Sequence, residues 1–199
     1  KLKELEREFN NLKIEIIQGD CNKILLDFIP KITYKSFRRA LVFLDPFGMS
    51  LDWSVIQQLA STKAIEIFLN LPLMAMNRDC LMNNPNKITE EKIEKMNKLW
   101  GSNEWQDLSY LEIKTLFGDK QKIKKDINAQ KISDSFVKRL NSIFPFVSPP
   151  LIIRNSNNAP LYCLIFAGHN KTGKEIIESI FGRFEKLKNL RIYEKNVII

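Results

Sequence analysis

Ala40-Leu41-Val42-Phe43-Leu44-Asp45-Pro46-Phe47-Gly48 is the stretch on which the fold reading turns. Five apolar residues in a row, stopped by Asp-Pro, are the pattern of a strand buried on both faces of a parallel sheet. Pro46 has no N–H to continue a ladder, and Gly48 tolerates the backbone angles of a sharp turn. Downstream, residues 52–61 have the spacing of a helix starting at an Asp52 cap. Ala64-Ile65-Glu66-Ile67-Phe68-Leu69-Asn70 then reads as a second strand, halted by Pro72. Upstream, Lys13-Ile14-Glu15-Ile16-Ile17-Gln18 is rich in β-branched residues and ends at Gly19-Asp20, which predicts a strand over 13–18. A short helix over 22–30 follows it. The rhythm is strand, helix, strand, helix, strand. Right-handed crossovers then predict an α/β fold with a Rossmann-like, mainly parallel sheet.

From about 73 to 145 the character changes. Lysines are dense, and helices are predicted over 89–99, 109–117 and 130–143, so this stretch reads as a helical insertion or cap. Residues 151–154 and 160–167 predict a hairpin across Asn155-Ser156-Asn157-Asn158, with at least one of its strands antiparallel in the sheet. A last helix over 172–187 places Ile176, Ile177, Ile180, Phe181 and Phe184 inward. The opening Lys-Leu-Lys-Glu-Leu-Glu-Arg-Glu-Phe reads as an amphipathic helix within residues 1–10, with no initiator Met. It reads as the middle of a helix whose preceding strand is absent. One domain over 1–199, missing its N-terminal part, is the expectation.

A net charge of +8 favours polyanionic partners, nucleic acid first, although Lys/Asn/Ile-rich composition alone gives the same surplus. Three scattered cysteines and a single histidine make no metal-ligand spacing, so no metal is expected. Unpaired thiols and no apolar run of about 18 residues fit a cytoplasmic protein with no membrane span. The lysine-rich Lys120-Gln121-Lys122 and Lys124-Lys125 could track a phosphate backbone, with Trp100, Trp105 and Tyr110 nearby as candidate stacking rings. Gly168-His169-Asn170-Lys171-Thr172-Gly173-Lys174 matches GxxxxGK between a strand and a helix. Glu175 stands where a magnesium-binding hydroxyl is needed, so the segment reads as a turn capped by Thr172.

Chemistry concentrates where strands end. Asp20 and Asp45 fall just past the carboxyl ends of two expected strands, the edge of an open α/β sheet where ligands bind. Leu44-Asp45-Pro46-Phe47-Gly48-Met49-Ser50, with Trp53-Ser54 and Thr62-Lys63-Ala64-Ile65-Glu66, resembles the three-Cys-motif partner proteins. Asn77-Arg78, Leu99-Trp100-Gly101, Glu104-Trp105 and Leu161 to Asn170 extend the resemblance over most of the chain. It implies a class I S-adenosylmethionine-dependent methyltransferase fold and a three-Cys-motif protein as partner. It also implies that Asp45, Pro46 and Phe47 act as a catalytic Asp-Pro-aromatic element that accepts hydrogen bonds from a target amino group. Asp20, Cys21 and Gly48 are implied on the cofactor side. The chain departs from that pattern twice. Its aromatic ring is displaced by one position, and no GxG loop for the methionine end of the cofactor occurs anywhere. Weak or no S-adenosylmethionine binding by residues 1–199 is the corresponding expectation. Two functions remain open: methyl transfer to a nucleic-acid amino group, or a non-catalytic methyltransferase-like module that binds nucleic acid or a protein.

Overall fold

The computed structural model describes residues 14–113 and 122–197. The expected helix within 1–10, Lys13, residues 114–117, and Lys120 and Gln121 lie outside them.

The sequence and the structure agree at the centre. β1 (Ala40–Leu44) runs parallel to β2 (Ile65–Leu71), with Ala40 opposite Ile65 and Leu44 opposite Leu69. Between them α2 (Trp53–Ser61) follows Asp52, although the Asp52 side chain makes no capping hydrogen bond. Before β1 lies α1 (Cys21–Phe28), continued by a single 3-10 turn through Lys31. Strand β2 alternates fully and partly buried residues, because one face carries the core and the other is only partly covered.

The chain then forms helices α3 (Leu73–Asp79), α4 (Glu90–Trp100) and α5 (Glu104–Ser109), and a small hairpin of β3 (Tyr110–Ile113) and β4 (Lys122–Lys125). Helix α6 (Ala129–Asn141) leads back to the main sheet, where β5 (Phe146–Val147), β6 (Leu151–Arg154) and β7 (Pro160–Gly168) are all added through β7. Helix α7 (Lys171–Val197) closes the described chain. The order is β1-β2-β7-β5, with β6 also pairing β7. The β6–β7 hairpin turns at the expected asparagines: Asn155 Oδ1 accepts from the N–H groups of Asn157 and Ala159, and Asn158 sits at φ +60°.

The fold is therefore α/β, and its described sheet is mixed. One pairing is parallel and three are antiparallel. The direction of β7 follows from its connection. A short crossover forces a parallel return, whereas the long helical excursion after β2 leaves the chain free to return either way.

Four further expectations are corrected. Residues 14–18 make no ladder, and Ile16 and Ile17 remain exposed; β-propensity describes a fit to a sheet surface and does not supply a partner strand. β1 is covered on one face only: Leu44 is buried, whereas Leu41 and Phe43 are 65% and 61% exposed. Tyr110–Ile113 is a strand where a helix over 109–117 was expected, since its aromatic and β-branched residues pair across to β4. In α7 only Phe181 of the expected inward set is buried; Ile176, Ile180 and Phe184 are exposed, because α7 lies over β5 and β7 and leaves the flank at β1 open.

One continuous core joins the sheet to the helices of residues 73–145. Ile67, Leu69 and Leu71 share it with Met96, Leu99, Trp100, Trp105, Phe136 and Leu140. Trp53 and Trp100 both meet Phe136 edge-on, at centroid distances of 5.8 and 5.4 Å. Gly101 ends α4 at φ +83° with Trp53 packed against its α-carbon, where a β-carbon would fall 2.3 Å from the indole.

Candidate functional site

Parallel pairing of β1 and β2 in equal register brings the residues that follow them side by side. Asp45 leaves β1 and Asn70 lies near the end of β2. The Asn70 side chain donates from Nδ2 to Asp45 Oδ1 at 2.7 Å. That bond fixes the amide orientation and turns Asn70 Oδ1 away, buried and without a hydrogen-bond partner. A buried acceptor without a partner costs free energy.

Asp45 and Pro46 line a cavity of about 360 Å³ at the carboxyl end of β1. Its other walls are mostly apolar: Ile17, Ile24, Leu25 and Leu51, with Gly19 and the exposed thiol of Cys21. Phe47 stands outside the cavity, 97% exposed, its ring held by nothing. Gly48 follows at φ +61°, the left-handed turn that lets the chain double back to the buried Met49 and Leu51.

Of the residues singled out in the sequence, Asp45, Pro46 and Cys21 share one cavity; Asp20, Phe47 and Gly48 are not in its lining. Asp20 caps α1, its Oδ1 accepting from Asn22 N at 2.9 Å and from Asn22 Nδ2 at 3.3 Å. Asn22, which the sequence reading passed over, ties the two loops together. Its Nδ2 donates to Ser50 O at 2.8 Å and its Oδ1 accepts from Asp52 N at 2.9 Å. Asn70 was missed as well, yet it closes the second strand one residue short of its end. Aligning the two strand ends in parallel is enough to pair it with Asp45.

The proposed stacking group in the helical region is corrected. Trp100 and Trp105 are buried in the core, and Trp105 Nε1 donates to Asn97 Oδ1 at 2.7 Å. Tyr110 turns its hydroxyl inward, donating to the carbonyls of Cys80 and Met82. Burial pushes the Cys80 and Cys163 thiols up to about 12, so neither is a thiolate near neutrality. Within the GxxxxGK segment the cap of α7 is Asn170, whose Oδ1 accepts from Thr172 N at 2.9 Å, in place of the expected Thr172 cap.

Among the described residues no group of three or more His, Cys, Asp or Glu side chains is placed to hold a metal ion. No described helix is long and apolar enough to cross a membrane. Against known protein families, curated proteins and solved structures, the chain shows no match.

Proposed function

We propose that this chain is a methyltransferase-like protein of the three-Cys-motif partner kind, acting on a nucleic-acid amino group. Its Rossmann-like element is the parallel β1–β2 pair, and the acceptor site lies at the carboxyl end of that pair. The observation that carries the reading is the coupled Asp45–Asn70 pair beside a bare ring. A planar amino group carries two N–H donors. The Asp45 carboxylate, one oxygen held by Asn70 Nδ2, keeps its other oxygen for one of them. Accepting that donor would pull the amino group toward its nucleophilic form. Phe47, free on both faces, supplies a surface on which a base can stack. The surplus of positive charge favours a nucleic-acid substrate.

S-adenosylmethionine would supply the methyl group. The apolar walls at Ile17, Ile24 and Leu25, with Cys21 beside them, suit the adenine end. Among the described residues Asp45 is the only charged one lining the cavity, so none of them there receives the carboxylate of the methionine end. The fit is partial, and the roles assigned here concern acceptor binding alone. The same observation favours a second reading, a non-catalytic module that binds nucleic acid or a three-Cys-motif partner at this surface. Methyl transfer from radiolabelled S-adenosylmethionine to single-stranded oligonucleotides separates the two. Transfer that depends on Asp45 supports the first reading. Oligonucleotide binding without transfer supports the second.

A further inference from the structure

The opposite end of the parallel pair holds a larger cavity. It opens at the start of β1 and β2, roughly 16 Å from the Asp45 crevice at about 3.3 Å of rise per strand residue. Its volume is about 630 Å³, and its walls include Tyr34, Arg39, Lys63, Glu66, His169 and Lys171. Three cations and one carboxylate line it.

That carboxylate, Glu66, is packed under the turn that starts α7. The two glycines of the GxxxxGK segment make room for it: a β-carbon on Gly168 would fall 2.9 Å from Glu66 Cγ, and one on Gly173 would fall 3.4 Å from both carboxylate oxygens. The spacing that resembles a phosphate loop is thus filled by a side chain of the protein itself. The turn is filled, and three exposed cations lie beside it, Arg39 also donating to Arg38 O at 3.1 Å. Lys63 is held at φ +54°, a conformation that costs an ordinary side chain energy. Arg39 stacks over the Tyr34 ring at 4.0 Å, its guanidinium plane preset. Lys171 reaches only the exposed Glu175, at 3.4 Å. His169 Nδ1 is buried without a hydrogen-bond partner in the same wall.

We infer that this cavity is a binding site for a phosphate group, carried by a small phosphorylated ligand, with Lys63 and Arg39 as its principal charges. Among anions, phosphate carries more charge and more acceptor oxygens than a carboxylate, so several cations around one opening favour it. The site stands apart from the Asp45 crevice and does not depend on methyl transfer.

His169 is the single histidine, so its ring protons give one isolated NMR signal. The experiment titrates the protein with inorganic phosphate, adenosine 5′-monophosphate and adenosine, at constant ionic strength, and follows that signal. Phosphate and the monophosphate should shift it saturably, and adenosine should not. Tighter binding of the monophosphate identifies a nucleotide-like ligand; equal binding identifies free phosphate. Lys63→Gly, which removes the charge and suits the φ +54° backbone, and Arg39→Gln should each weaken binding about tenfold, the effect of losing one charge-assisted contact. No saturable shift with either phosphate probe, equal affinity in both variants, or an equal response to adenosine would overturn the inference.

Discussion

The two ends of the β1–β2 pair are built from the same two strands and have opposite chemistry. At the carboxyl end, Asp45 and Asn70 present oxygen acceptors, one of them unsatisfied, beside a mostly apolar cavity. At the amino end, Arg39, Lys63 and Lys171 lie around a carboxylate packed under the start of a helix. The contrast shows why two sequence patterns of similar appeal part company. Asp-Pro-Phe-Gly leaves its carboxylate and its ring exposed. GxxxxGK spends its glycines on an internal residue, and the opportunity for an anion passes to the cations alongside.

The largest expected effect tests the carboxyl end. Assayed in the full-length protein, Asp45→Ala should lower methyl transfer by roughly 10²–10³-fold, the usual result of losing a hydrogen bond made in the transition state, with the fold retained because the side chain is exposed. Equal turnover in wild type and variant would remove Asp45 from the chemistry, and loss of folding would make it a strand terminator only. Next comes Phe47→Ala, expected to weaken oligonucleotide binding by about 1–3 kcal/mol if the bare ring stacks a base; a fluorescence titration checks this.

Gly168→Ala is the counterpart at the amino end. Its methyl group would press on Glu66 Cγ and on Phe166, and a loss of about 1–3 kcal/mol in thermal stability is expected from the overpacking. No loss would mean that Glu66 moves aside freely and that the helix start is open to outside anions. Asp20→Ala comes after it. As the cap of α1 it should cost about 1 kcal/mol, with Asp20→Asn close to wild type. If both variants keep full stability but lose S-adenosylmethionine binding, the cofactor role implied by the family resemblance outweighs capping.

The smallest effect is in pH. Burial raises the Glu66 carboxyl above its ordinary 4.5, so the folded state holds that proton more tightly than the unfolded chain does. Its contribution to stability is therefore present below 4.5 and is lost as pH rises through the raised value. His169 works in the other direction. Burial, and then the charge of Lys63, lower it from 6.5, so its contribution is complete above 6.5 and is lost as pH falls through the lowered value. Denaturation followed between pH 4 and 7 should show the falling limb flattened in Glu66→Gln and the rising limb flattened in a His169→Phe variant. Unchanged limbs would mean that neither group senses its surroundings.

Much of this was legible in the residues. Ala40–Leu44 and the strand that begins at Ile65 announced themselves by composition and by their stops, and Asn155–Asn158 announced the hairpin, because strand interiors and turn chemistry are local. The Asp45 crevice was legible for the same reason: a strand end followed by Pro marks a place. The capping role of Asp20 was hidden by an equally plausible ligand role, since one carboxylate does either. Trp100 and Trp105 looked like surface rings because lysines surround them in sequence, whereas helix periodicity turns them to the core.

By itself the sequence determined the α/β class, the strands β1 and β2 with the helix between them, and the position of Asp45 at a strand end, each a consequence of local composition and spacing. The tertiary structure alone decided the antiparallel return of β7, the uncovered flank of β1, the pairing of Asp45 with Asn70 and the filling of the GxxxxGK turn by Glu66. Each of these joins residues at least two dozen positions apart, and no local propensity or spacing encodes which distant strand arrives beside which, or in what direction.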